Sequence, residues 1–235
     1  MARPPLRQAT GRGTGEARLP KADQVHRALK HEITRGERPP GEMIDKAALC
    51  LRFGVSRLPV TTAIHRLAYE GLVLIEPQKG SYVSRIRLDD VLQWMLARRA
   101  IEAEVAAQAA RSLTAEAREA LARNLRYQEA AVASEDFDGF LSLDVGFHQL
   151  LTDELGYGRV AETLDALRVH LDRVRRLLLP EPGRMAATLA EHHAIHQAIA
   201  ARKPAAASRA MRRHLAIVVD RLVAFERDHP AFFGP

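Results

Sequence analysis

The chain has 235 residues, enough for two domains of ordinary size, each with its own core. Residues 1–87 hold 16 Lys/Arg against 8 Asp/Glu, and the rest hold 19 against 21, so the whole basic surplus lies in the N-terminal third and suits a polyanionic partner. No apolar run approaches the ~20 residues that span a bilayer, no apolar stretch near the start reads as a secretory signal, and the single Cys50 excludes a disulfide framework or a cysteine-rich zinc module, so a cytoplasmic protein is expected.

Residues 1–20, with their Pro, Gly, Arg and Thr, read as a disordered basic arm. From Asp23 to about Arg35, Val25, Ala28, Leu29 and Ile33 recur at helical spacing, and the run 36–41 (GERPPG) makes a turn. Asp45 is a good N-cap for a short helix through Phe53, which Gly54 ends. Ser56 is expected to cap the next helix, with Pro59 in its first turn and Val60, Ala63, Ile64 and Leu67 as its buried stripe. Gly71 closes that helix. Residues 72–75 and 81–83 are β-prone and flank a glycine-containing turn at 77–80, the pattern of a hairpin.

Helix, helix, tight turn, helix, hairpin is the order of a winged helix-turn-helix, here over residues 21–87. The helix opening at Ser56 takes the place of the recognition helix, whose N-terminal end meets the major groove. Its outward face offers Arg57, Thr61, Thr62, His65 and Arg66. Arg57 can fork onto guanine or grip a phosphate, and the threonines can donate to phosphates or touch thymine methyls. Lys79 and Gly80 stand at the wing tip, where glycine permits close backbone approach to a minor groove. The bland alternative is a solvated helix face, and the combined order of elements and charge favours double-stranded DNA.

After Arg87 the pattern is helical, with six helices near 88–111, 115–133, 136–155, 159–178, 184–201 and 205–228 and no convincing further strand. The fold class is thus mostly α: a winged helix-turn-helix followed by an all-helical bundle over 88–228. Asp144 and His148, four apart, share one helix face in an apolar context, where polar groups need partners. His192 and His214 lie on two later helices. One carboxylate and three imidazoles suit zinc, manganese, nickel or iron, with positions left for water or a ligand. Spacing alone leaves a simple Asp–His hydrogen bond open, and leaves open which of His192, His193 and His196 points inward. Arg98, four before Glu102, reads by spacing as a surface ion pair. Arg173, Arg175 and Arg176 read as a solvated cluster, and Trp94 and Met95 as core or interface.

The motifs at Pro40-Gly41, at 49–57 (LCLRFGVSR), Pro59-Val60, Arg66-Leu67, 70–72 (EGL) and 80–83 (GSYV) resemble the DNA-binding domain of the GntR family. That resemblance implies a DNA contact by Arg57. The family pattern has arginine and glutamate where this chain has Thr61 and Thr62, so operator preference is expected to differ. Residues 88–228 resemble the FCD effector domain of FadR-type members, on the VanR-like branch with six helices. The motifs are Asp144-Val-Gly-Phe-His148, Glu191-His192-His-Ala-Ile195 and Met211-Arg-Arg-His214-Leu. The resemblance selects His192 and implies a divalent metal held by Asp144, His148, His192 and His214 under a pocket for a small carboxylate effector. Arg98 matches a family arginine near that pocket, and Tyr157 departs from the family's Gly-Asn-Pro turn. The expected protein is a homodimeric, effector-controlled transcription regulator, a repressor more readily than an activator, and not an enzyme. A metal-dependent hydrolase and a regulator that senses the metal itself are the alternatives.

Overall fold

The computed structural model describes residues 19–178 and 181–234, so most of the expected basic arm (1–18) lies outside the described residues. Helix α1 spans Lys21–Thr34 and begins two residues before the expected start, behind Pro20. Asp23, expected to open the helix, sits in its first turn and pairs with Arg66. Helix α2, Lys46–Phe53, is capped by Asp45, whose Oδ1 accepts from the amides of Ala47 and Ala48 at 2.8 and 3.0 Å. Gly54 ends it at φ 59°, the left-handed conformation glycine adopts without a Cβ penalty.

Helix α3 spans Arg57–Tyr69 with Ser56 at the N-cap position. The serine backbone is extended as a cap requires, but its hydroxyl caps no amide, contrary to expectation. Val60, Ala63, Ile64 and Leu67 are fully buried and pack with Val25 and Leu29 of α1 and Leu49 of α2. Strands β1 (Val73–Glu76) and β2 (Gly80–Val83) form the antiparallel wing, with Val73 opposite Val83 and Glu76 opposite Gly80. In its turn the left-handed position falls to Gln78 at φ 63°, after Pro77, and the Lys79 amide donates to the Glu76 carbonyl at 3.2 Å.

Six helices follow: α4 (Leu88–Ser112), α5 (Ala115–Ala133), α6 (Phe137–Asp153), α7 (Gly158–Leu178), α8 (Arg184–Ala200) and α9 (Pro204–Asp228). Thr114 and Asp136 cap α5 and α6 through their side chains. The long helices α4 and α9 pack along each other, and α5 packs on α6 and α8. Met95, Leu121, Phe147, Val174, Ile195, Met211 and Leu215 lie in one continuous apolar core with Trp94 packed against it. Among the described residues no single helix is long and apolar enough to cross a membrane.

A second, parallel strand pair overturns the expectation of no strand after Arg87. Strand β3, Ile86–Arg87, pairs with β4, Phe233–Gly234, after a 3-10 turn at Pro230–Phe232. Phe233 is buried beside Ile86 in the helical core. Two-residue ladders carry no alternation to read. This pairing fastens the end of α9's chain to the connection between the two halves. Arg173 of α7 grips the same connection, donating to the Ser84 carbonyl at 2.5 Å. Asp138 of α6 joins the halves again, accepting from Arg35 of α1 and, at 2.5 Å, from Arg176 of α7.

Candidate nucleic-acid interface and metal centre

The exposed face of α3 carries Arg57, Thr62, His65 and Arg66, with Thr61 half-buried beside them. Thr61, Thr62, His65 and Arg66 line one shallow depression together with Leu58, Tyr69 and Glu70. Arg66 is committed to Asp23. Arg57 has no ion-pair partner among the described residues, so its guanidinium stands ready at the helix N-terminus. Lys79 projects from the wing tip, three-quarters exposed and 3.5 Å from Glu76. Gly80 has φ 141°, and a Cβ there would stand 3.6 Å from the Tyr82 ring. Sequence reasoning passed over Leu58, 74% exposed on the same face, and Tyr69, 95% exposed at its far end.

In the helical half, α6, α8 and α9 bring Asp144, His148, His192 and His214 together. One donor atom from each lies within 4.8 Å of every other, and all four residues are buried. Asp144 and His148 share a face of α6, as their spacing requires. His192 Nε2 lies 3.4 Å from Asp144 Oδ1. The ring centroids of His148, His192 and His214 are 4.7–5.5 Å apart, and Phe147 stacks on His192 at 4.4 Å.

An outer set of acceptors orients each imidazole. His148 Nδ1 is 2.5 Å from Glu102 Oε2 on α4. His192 Nδ1 is 2.8 Å from Gln128 Oε1 on α5, and His214 Nδ1 is 2.7 Å from Glu191 Oε2 on α8. Gln128 is itself fixed, donating to Asn124 Oδ1 at 2.7 Å, while Asn124 donates to the Leu143 carbonyl at 3.1 Å. His192 and His214 turn Nδ1 to hydrogen-bond acceptors, which places their protons there and leaves their Nε2 lone pairs inward, while His148 Nδ1 lies against Glu102 without hydrogen-bond geometry. All three Nε2 atoms are buried without a hydrogen-bond partner. Orphaned buried acceptors are rare, and converging on one point beside a carboxylate they fit a divalent cation.

The electrostatics agree. Burial pushes the His148 imidazole down to about 4 against the pull of Glu102, and burial aided by nearby His214 holds His192 well below the usual histidine range. Both are neutral at pH 7, the ligating form. Burial alone raises the Asp144 carboxyl, but the Arg175 guanidinium beside it outweighs that and holds the group below its ordinary range. Glu102 behaves alike: burial opposes its charge, and Arg98 with His148 more than offset that.

Three arginines are matched one to one with the three carboxylates. Arg98 Nε is 2.5 Å from Glu102 Oε1, and Arg175 Nη1 is 2.5 Å from Asp144 Oδ2. Arg184 makes two contacts with Glu191, at 3.0 and 3.3 Å. Arg98 is therefore not a surface ion pair: it is 2% exposed, backing Glu102. Nor is the α7 cluster solvated, since Arg173 and Arg175 are both buried and Arg176 is bound to Asp138. Beside the quartet lies a cavity of about 30 Å³, lined by Asp144, His214, Arg175, Arg184, Thr188 and Arg221. Arg98 is not among its lining residues. Arg221, the most exposed of the polar lining side chains, is paired with Glu181. Tyr157 lies in a surface turn away from this centre, 38% exposed.

Comparison with known proteins agrees with both halves. The profile of the bacterial regulatory proteins of the gntR family matches residues 21–83, and that of the FCD domain matches 93–217. The HTH-type transcriptional repressor RspR of Escherichia coli is 33% identical over 215 residues, covering 92% of this chain and 94% of that protein. The HTH-type transcriptional regulator LutR of Bacillus subtilis is 29% identical over 216 residues, 82% of this chain and 97% of that one. A transcriptional regulator structure from a Rhodococcus species superimposes with TM-score 0.73 at 22% identity, covering 87% of this chain and 98% of that one. E. coli McbR/YncC does so with TM-score 0.69 at 19% identity, over 90% and 99%. The chain belongs to the GntR family of transcription regulators, with a helix-turn-helix DNA-binding half and an FCD domain.

Proposed function

We propose that this regulator is a homodimeric repressor that a small carboxylate releases from operator DNA, through a divalent metal held by Asp144, His148, His192 and His214. The repressor sign follows the printed name of RspR, a relative that aligns over nearly the whole chain. The observation that carries the rest is the set of three inward, orphaned Nε2 atoms beside an arginine-lined cavity. A cation bound there supplies open coordination positions for a carboxylate oxygen.

Charge balance explains why the effector is an anion. Glu102, Asp144 and Glu191 are matched by Arg98, Arg175 and Arg184, and an imidazole that ligates a cation through its lone pair adds no charge. A divalent cation then leaves an uncompensated double positive charge in a buried site, where an anion is the cheapest complement. Arg221 is positioned to leave Glu181 and grip the incoming carboxylate, and Thr188 adds a hydroxyl. A cavity of about 30 Å³ holds one or two waters, so the effector is small or enters as Arg221 swings out.

Arg175 contacts Asp144, while Arg173, two residues earlier, holds the Ser84 carbonyl between the halves. Movement of α7 on effector binding would thus reach the connection to the DNA-binding half. Such coupling requires the effector to bind the released state more tightly. The nearby carboxylates are committed to arginine and histidine partners, leaving no obvious general base for the hydrolase reading. Three outer acceptors preorganise the quartet for a resident ion, which favours an organic effector over the ion as signal.

The test is a thermal-shift panel of small mono- and dicarboxylates against metal-loaded protein and an Asp144→Ala variant. A carboxylate that raises Tm only in the metal-loaded wild type supports the reading. Equal shifts in both proteins, or none across the panel, would count against it.

A further inference from the structure

The recognition helix differs from an ordinary solvated helix in what its outer stripe is made of. Leu58, Thr61, Thr62 and His65 fall at i, i+3, i+4 and i+7 and share one face of α3. Leu58 is 74% exposed there. A single exposed leucine carries little meaning. This one lies in the first turn of the helix, the end that approaches base edges, and the threonines one turn on each add a methyl group. The cations around the stripe are few. Arg66 is drawn to Asp23, and among the arginines of α3 Arg57 is the one left to fork onto a guanine or a phosphate.

From this juxtaposition we infer that Leu58 and the methyl of Thr61 read the 5-methyl groups of thymines in the major groove, making the operator half-site thymine-dependent. The inference rests on α3 being the helix that enters the groove. Thymine is the one base that presents a methyl group in that groove, and aliphatic side chains are its natural partners. The basic surplus of the N-terminal third holds the helix against the phosphates without distinguishing bases. Discrimination then falls to this stripe, with its leucine and threonine methyls, and to Arg57. A leucine that stays in water in the free protein gains more by burial where a methyl faces it.

The experiment selects binding sites from a random duplex library with the full-length protein, then replaces each selected thymine singly by deoxyuridine, which removes only the 5-methyl. In the wild type, uracil is expected to weaken binding about fourfold at each thymine so read. Leu58→Ala is expected to bind the thymine and uracil forms equally at one position while still discriminating at another. Thr61→Ser, which keeps the hydroxyl and loses the methyl, is expected to do the converse. Leu58 is exposed and Thr61 half-buried, and circular dichroism checks that the variants fold. Wild-type indifference to uracil at every position overturns the inference, as does a Leu58→Ala protein with the full wild-type ratio throughout. A library that yields no enriched sequence overturns the DNA-contact reading itself, and this inference with it.

Discussion

Glu102 holds His148 and Arg98 at once: one carboxylate oxygen is 2.5 Å from Nδ1 of the histidine and the other 2.5 Å from Nε of the arginine. Glu102 is thereby a positioning residue for the proposed metal centre, although it touches no ion. Glu102→Gln keeps an oxygen toward His148 but removes the charge that strengthens the imidazole as a ligand. Metal affinity, measured by competition with a chromophoric chelator, is expected to fall 10–100-fold. Unchanged affinity would show that the contact is packing alone.

Arg98 gives a separate expectation. Its removal strands the buried Glu102 carboxylate without its counter-cation, a situation that costs about 3–5 kcal/mol. Arg98→Ala should lower the urea midpoint accordingly, without a change in slope. If the variant is as stable as the wild type and loses only its response to carboxylates, Arg98 reaches the effector after all.

Chelation should destabilise the helical half. A ligand present at 100 times its Kd stabilises the folded state by about 2.7 kcal/mol. For a domain of this size that amounts to several degrees in Tm. Scanning calorimetry with and without EDTA reads this directly. An Asp144→Ala or His148→Ala protein should melt at one temperature in both conditions. A chelator effect that survives in those variants would place the ion elsewhere.

The sequence carried the metal quartet further than its surroundings. Asp144 and His148 are linked by helical spacing, whereas His192 is singled out from His193 and His196, and joined to His214, only by the resemblance to the FCD motifs. Glu102 and Gln128 sit on helices whose register against α6 and α8 is set only by packing, so nothing local marks them as acceptors. Glu191 stood beside His192 in the motif, but its bond to His214 crosses from α8 to α9. Arg173 and Arg175 were read as solvated because three nearby arginines usually are. Only the seating of α7 against α6 and the Ser84 connection buries them. In the DNA-binding half the element order and core were legible from periodicity and turn residues. The failed Ser56 cap and the β3–β4 ladder were not, because each depends on a few degrees of backbone or on two residues distant in sequence.

On the DNA side, Arg57 is expected to make a phosphate or base contact from the start of α3. Arg57→Ala should lower operator affinity about tenfold or more. If the contact is to phosphate, the slope of log affinity against log salt should become shallower by about one. Fluorescence anisotropy over 0.1 to 0.3 M salt separates the two. Identical affinity and slope in the variant would remove Arg57 from the interface.

The most direct measurement of the central claim is operator binding in four conditions: protein with and without bound metal, each with and without a small carboxylate that raises its Tm. We expect the carboxylate to weaken operator binding about tenfold or more when metal is present, and to do nothing to the chelated protein or to Asp144→Ala. Operator affinity that is the same in all four conditions would contradict the account.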